Sequence, residues 1–370
     1  MDFDYVVMPA ILFVVALLVI WRSIRRIRSL KVQNYRTWRR NTERVVLSLI
    51  ILLVAVAAGS GAFNAVALQV ARLSNPPDGA FYKVNGARMH IDCIGAGSPV
   101  IVLDTGYGNN ATTWEKVQPE LSKTTRVCSY DRAGTGWSQP QPEPRDADHI
   151  VSQLHELLRQ ANVSGPIVLM GHSIAGMYVR AYATHYPADV AGIVFVDGSS
   201  PEQFHNPLFT AELGKQPWLL YRGMTILGLP RLMWMLSLSS PELDRHASKR
   251  EAEATFQGHI VPLQDEMGSF VQSADETIHT GPYGALPILI FTQDTDHPSK
   301  GMEQFASSWN QMQEALKKLS TRSRRIIAKG SGHYIHVDRS DLIEKEVPRF
   351  IEQVRGTVPQ PTNYGTTITE

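Results

Sequence analysis

The stretch Pro166 to Gly176, Pro-Ile-Val-Leu-Met-Gly-His-Ser-Ile-Ala-Gly, leaves this chain few folds to choose from. Ile167 to Met170 is a short apolar run of the kind that makes a strand buried on both faces. It stops at Gly171. Beyond Ser173 the small residues Ala175 and Gly176 open a helix expected over Met177 to His185. A strand that turns sharply into a helix with serine at the apex lifts that hydroxyl clear of the sheet. Such a turn needs small residues two positions either side of the serine, because the helix start packs close to the strand. Gly171 meets the requirement and Ala175 nearly meets it. A serine hydroxyl is a poor nucleophile until a base is held beside it, so a histidine must arrive from elsewhere in the chain. The N–H of Ile174 points at the same spot and can stabilise an oxyanion.

The start of the chain has a different character. Tyr5 to Trp21 is uncharged over about 17 residues, the short limit for crossing a bilayer. Arg22 to Arg44 is strongly basic, with Glu43 its single acid. Val45 to Ala71 is a second uncharged run of about 27 residues, ample for a tilted span. Residues 1–72 therefore read as a two-span, multi-pass membrane anchor. Its basic loop is expected in the cytoplasm, with both termini and everything after Arg72 on the extracytoplasmic side. Ala55-Val56-Ala57 offers a competing reading as a signal-peptidase site, against which the preceding span argues.

The remainder is long enough, within 370 residues, for one large domain with additions. A net charge of +1 gives no sign of nucleic-acid binding. The two cysteines, Cys93 and Cys128, form no C-x-x-C and no Cys/His cluster at zinc spacing, so a structural metal is not expected; no cofactor is expected either. They can be buried thiols or one disulfide, depending on compartment.

Phe81 to Val84 and Arg88 to Ile94 alternate as two strands joined by Asn85-Gly86, a hairpin signal. Further strands are expected at Val100 to Leu103, Arg126 to Tyr130, Ile193 to Val196, Ile288 to Phe291 and Arg325 to Ala328, with helices at Ile150 to Ala161 and Leu342 to Val354. This alternation is that of an α/β, mostly parallel sheet with an antiparallel hairpin at one edge. Between Ser199 and Leu286 it lapses for about 88 residues, too many for a loop, and a helical cap is expected over about 199–286. Trp218 to Leu238 is its apolar part, and can pack the cap, wall an apolar substrate or dip into lipid. Arg355 to Glu370 is polar and expected to be disordered.

Four motifs now stand in order: Val-Leu-Asp-Thr-Gly-Tyr-Gly at 102–108, Tyr-Asp-Arg-Ala-Gly-Thr-Gly-Trp-Ser at 130–138, Gly-His-Ser-Ile-Ala-Gly at 171–176 and Ser-Gly-His-Tyr at 331–334. Together they resemble the α/β-hydrolase fold superfamily, esterase and lipase type, over residues 80–354. Two departures are visible. Ala175 replaces the second elbow glycine, and Asp104-Thr105 stands where many members carry histidine before Gly106.

The resemblance implies Ser173 as nucleophile and His333 as base, with His336 the rival histidine. It puts the orienting acid at Asp296, with Asp294 the alternative and Asp197 a third position, read as bonding locally in its turn. Tyr107 N–H joins Ile174 N–H as oxyanion donor. Tyr130 to Ser138 fixes a turn, and His172 packs. Epoxide hydrolases and haloalkane dehalogenases share the layout but place aspartate at the elbow, so serine implies acyl transfer. The resemblance also sets Cys93 and Cys128 on neighbouring antiparallel strands, which allows a disulfide. The expectation is thus a membrane-anchored serine hydrolase of small-molecule or lipid esters. Acyl transfer to another alcohol, peptidase action, or a non-catalytic binding module are the alternatives.

Overall fold

Along β3 (Val100–Asp104), Ile101 and Leu103 join one core while Val100 and Val102 join the other. The same alternation divides β5 (Ile167–His172), β6 (Val190–Val196) and β7 (Ile288–Thr292). Side chains point to opposite faces of a strand in turn, so unbroken apolar runs such as these require helices on both sides of the sheet. The computed structural model describes residues 7–30, 37–74, 76–142, 144–211, 213–236, 255, 260–294, 296–297, 303 and 305–370. They divide into two units, Met1–Pro76 with Pro217–Arg245, and Pro77–Gln216 with His246–Glu370. Met1 to Asp4, the start of the first apolar run, Lys31 and Arg36 of the basic loop, and Leu238 with the middle of the expected cap lie outside the described residues.

The larger unit is built on a sheet of order β1-β2-β4-β3-β5-β6-β7-β8-β9. β1 (Ala80–Val84) and β2 (Ala87–Ile94) form the expected hairpin, and both Asn85 (φ 47°) and Gly86 (φ 88°) take the left-handed conformation that a two-residue turn demands. β2 runs antiparallel to β4 (Val127–Tyr130), and the strands from β4 onward are parallel. Cys93 and Cys128 are register partners across β2 and β4, and their sulfurs are bonded.

The helices of this unit are α3 (Gln118–Leu121), α4 (Ala147–Gln160), α5 (Ala175–His185), α6 (Pro201–His205) and α7 (Pro207–Thr210). Asp146 caps α4 by accepting the His149 N–H. After the insertion come α10 (Ile260–Gly268), α11 (Phe270–Thr277), α12 (Ala306–Ala315), β8 (Ser323–Ile327), α13 (Ile335–Asp338) and α14 (Ser340–Arg355).

Residues 355–370 are not disordered. Gly356, at φ 74°, ends α14, and Thr367–Thr369 returns as β9 beside β8, with Arg325 paired to Thr367. The polar composition misled because this strand is held by backbone bonds and by Lys317, which donates to Gly365 O and Thr367 Oγ1.

The expected single cap is also corrected. Residues 199–216 and 260–286 belong to the unit that holds the sheet, whereas α8 (Trp218–Ile226) and α9 (Leu229–Met235) belong with the N-terminal helices. A run of apolar residues does not say which apolar surface it covers.

In the smaller unit, α1 (Met8–Ser29) and α2 (Thr37–Ser74) pack along one another. Arg26 Nε pairs with Glu43 Oε1 at 2.6 Å between the end of one and the start of the other. Both are long and apolar enough to cross a membrane, with mean hydropathy of 1.9 and 2.5 in their most apolar windows. Many of their large side chains are exposed, Leu18, Leu53 and Val56 among them.

Candidate active site

β5 ends at His172, and Ser173 follows in the left-handed region at φ 54°. A non-glycine residue held there stores of order 1–3 kcal/mol of strain. The surrounding bonds impose it. Ser173 N–H donates to Val196 O on β6 at 3.3 Å, and Ser173 O accepts from Gly176 N–H and Ser199 N–H at 2.8 and 2.6 Å. A Cβ on Gly171 would lie 2.8 Å from Ala175 O, and one on Gly176 would lie 2.6 Å from Ser199 O. Those two positions are therefore held to glycine by backbone. Ala175 itself is accommodated, fully buried.

His333 lies on the loop after β8. Its Nδ1 is 2.6 Å from Asp197 Oδ2. Asp197 is completely buried, at φ 47°, and its other oxygen accepts from Trp309 Nε1 at 2.9 Å and Gln293 N–H at 3.1 Å. A carboxylate accepts only, so the proton in the His333–Asp197 bond belongs to Nδ1. Trp309 also meets the His333 ring edge-on at 5.8 Å.

Asp296, the residue expected to orient the histidine, is not at His333. It is exposed, and its N–H donates to Asp294 Oδ1 at 3.0 Å. Asp294 is buried but turned to its own loop and to the next: its Oδ2 accepts from Gly330 N–H at 2.9 Å, and its N–H donates to Ser331 O. The reason lies in strand order. β6 neighbours β5, Val196 is level with His172, and the residue following each strand emerges side by side at the carboxyl edge of the sheet. β7 is one strand further away.

Burial pushes the Asp294 carboxyl up, but N–H donors from Gly330 and Asp296 outweigh it and hold the group below its ordinary value. Asp294 thus ties down the loop that carries His333.

His172 braces the same loop: its Nε2 is 3.1 Å from His333 O, so the neutral ring donates there. Burial, and then the neighbouring His336 and His333, keep it far below the usual histidine range. His336 is fully buried against Trp114, with ring centroids 4.4 Å apart.

Gly106 follows β3 closely. A Cβ there would come within 2.8 Å of His172 Nδ1 and 3.3 Å of Ser173 Cβ, so glycine is what allows this loop to reach the serine. Among the described residues, neither the Tyr107 nor the Ile174 N–H has a hydrogen-bond acceptor. The Tyr107 hydroxyl donates to Leu263 O at 2.9 Å.

Arg132 holds the loop from behind. Its guanidinium donates to Asp104 Oδ1, Thr105 O and Gly106 O at 2.7, 2.7 and 2.9 Å, and pairs with Glu266 on α10 at 2.9 Å. Arg145 meets the other Glu266 oxygen at 3.2 Å. Burial raises the Glu266 carboxyl, and the two arginines more than offset it, leaving the group below its ordinary value.

Asp131 accepts from Ala111 N–H, Trp137 N–H and His90. Tyr130 to Ser138 therefore does more than fix a turn. Asp104, the departure before Gly106, was the visible sign of an arginine partner. Nothing local marked Trp309 or Glu266. Among the described residues no group of three or more His, Cys, Asp or Glu could hold a metal ion.

Strand order, elbow and histidine loop define a class. Residues 101–346 match the model of the alpha/beta hydrolase family, and the chain belongs to that family. It is 29% identical over 259 residues to an uncharacterized protein of Schizosaccharomyces pombe, covering 66% of this chain and 44% of that one; the match thus spans under half the length of that relative. It is 28% identical over 133 residues to an uncharacterized vacuolar membrane protein of Saccharomyces cerevisiae, 30% of this chain and 20% of that one. A thermophilic esterase from Thermogutta terrifontis superposes with a TM-score of 0.54 at 19% identity, covering 75% of this chain and 99% of that structure, a likeness of fold alone.

Proposed function

We propose that this protein is a membrane-anchored serine hydrolase that cleaves carboxylic esters, lipid-like ones among them, through an acyl-enzyme on Ser173. The observation that carries the reading is the His333–Asp197 hydrogen bond, its carboxylate fully buried after β6, the strand next to the one that leads into Ser173 in a strained turn.

Ser173 Oγ attacks the ester carbonyl carbon, and its proton passes to His333 Nε2. Asp197 keeps the Nδ1–H tautomer and faces the imidazolium that forms. The negative oxygen of the tetrahedral intermediate takes the N–H groups of Tyr107 and Ile174. Collapse breaks the bond to the alcohol, which leaves with the proton from Nε2. Water then repeats the sequence on the acyl-enzyme and releases the acid.

α1 and α2 are read as the two spans, with the basic segment between them in the cytoplasm and the hydrolase unit outside. The Cys93–Cys128 bond supports that side, since disulfides persist in oxidising compartments. The apolar anchor is the support for a lipid-like substrate.

The test is a fluorophosphonate probe with an ester series of graded acyl length on the full chain in detergent. Labelling of the wild type, its loss in Ser173→Ala, and a long-chain preference are expected. Equal labelling of both proteins would overturn the enzyme reading, and a short-chain optimum would overturn the lipid one.

A further inference from the structure

α8 and α9 have 9 and 7 residues. At about 1.5 Å per residue neither exceeds roughly 14 Å, well short of a hydrocarbon layer of about 30 Å. Residues 218–236 hold no acid and two arginines, Arg222 and Arg231. Trp218, Tyr221 and Trp234, amphipathic side chains of the interfacial kind, are interspersed among them. Leu219 is 87% exposed, and Leu220, Met235 and Leu236 are more than half exposed.

This hairpin is fastened to α2 within the same unit. Ser60 Oγ donates to Leu227 O, and Asn64 Nδ2 donates to Thr225 O at 3.2 Å. Asn64 Oδ1 accepts from Arg231 Nε at 3.2 Å, and Arg231 is buried there. Gly228, at φ 68°, makes the turn between the two helices, and a Cβ on it would stand 2.5 Å from Asn64 Cβ. Ser60 and Asn64 are four residues apart and share a face of α2.

The carbonyls at the end of a helix ordinarily turn to water. Here side chains of the apolar helix supply the donors, which is the arrangement a water-poor setting requires. Asn64 stands about 19 residues beyond Val45, roughly 28 Å along the axis, so the contact falls at the far boundary of a layer that begins at Val45.

We propose that α8 and α9 are a third lipid-contacting element, a hairpin that lies in the outer leaflet and is clamped to α2 by Ser60 and Asn64. The occupant of its exposed apolar face is the acyl region of the bilayer, continuous with the face that α2 itself presents. This rests on the reading of α2 as a span.

Cys93 and Cys128 are joined and are the chain's two cysteines, so Leu219→Cys in the full chain carries one reactive thiol, at a position whose exposure leaves packing undisturbed. A nitroxide on that thiol, in phosphatidylcholine vesicles, is tested for collision with oxygen, which concentrates in lipid, and with a nickel chelate, which stays in water. Val56→Cys on α2 is the lipid reference and Lys123→Cys, on the sheet unit, the water reference. The expected oxygen-to-nickel ratio at 219 is several-fold above that at 123 and close to that at 56.

A water-like ratio at 219 with a lipid-like ratio at 56 overturns the hairpin proposal alone. Water-like ratios at both overturn the span reading and this proposal with it. Low access to both probes at 219, with dipolar broadening between labels, assigns the face to a second copy of the chain and also overturns the proposal.

Discussion

Ser173 and Asp197 both follow the last residue of a parallel strand, and both hold a positive φ. Each is bound by its backbone to the neighbouring strand: Ser173 N–H to Val196 O, and Asp197 N–H to Phe291 O. The proposed nucleophile and acid are thus set by the sheet, and the proposed base, His333, is held against Asp197 from a loop. In Asp197→Asn the imidazole loses its acceptor and its tautomer, and kcat for ester hydrolysis is expected to fall roughly 10³- to 10⁴-fold. Asp296→Asn, at an exposed carboxylate outside the pair, is expected to leave kcat within about twofold, as for surface changes generally. Steady-state rates on one ester decide between them, and the reverse ranking would return the role to Asp296. Gly106→Ala is expected to abolish turnover while leaving fluorophosphonate binding slow rather than absent, because its methyl meets His172 and Ser173 together.

The elements around the site are joined through one buried charge group. Glu266 on α10 holds both Arg132 and Arg145, and Tyr178 on α5 donates to it at 3.1 Å. Arg132 in turn fixes Thr105 O and Gly106 O after β3. Removing one partner of such a group leaves a buried charge unpaired, at a cost of about 3–5 kcal/mol. Glu266→Gln is expected to lower stability by that order in denaturant unfolding, and to lower kcat as well, because Arg145 loses its charged partner and Arg132, which holds the Tyr107 loop, loses one of its two. A change in stability with kcat intact would separate α10 from the proposed oxyanion loop. The disordered-tail expectation failed at this scale too: β9 is a strand by virtue of its neighbour, β8, and its own residues Thr367 to Thr369 carry little burial to announce it.

Over the whole molecule, two kinds of group give opposite pH limbs. Asp294 and Glu266 sit below their ordinary values of 3.8 and 4.5 when folded. Their stabilisation is complete above those values and is lost as pH falls through the lowered ones. His90 is the reverse. Burial lowers it, but Asp131 at 2.9 Å and Asp78 O at 2.7 Å prevail and raise it above 6.5. Its contribution is complete below 6.5 and is lost as pH climbs through the raised value. Thermal unfolding against pH is expected to give a dome, and His90→Gln to flatten its alkaline side while leaving the acid side in place.

The anchor is tested at the same scale. Alkaline carbonate washing is expected to leave the full chain in the membrane fraction, and release into the supernatant would remove the spans from the proposal.

What the residues determine unaided is local and periodic. Apolar runs of strand length, the Asn-Gly turn, the glycine-flanked serine and the two long uncharged runs near the start are each legible because their cause lies within a few positions of the chain. The partner of His333 was not legible. Asp197, Asp294 and Asp296 all end or follow strands, and only the order of β5, β6 and β7 in the sheet puts one of them beside the histidine. The division of residues 199–286, the arginine behind Gly106 and the return of the C-terminus to the sheet were decided in the same way, by contacts between residues far apart in sequence, to which a pattern read along the chain is blind.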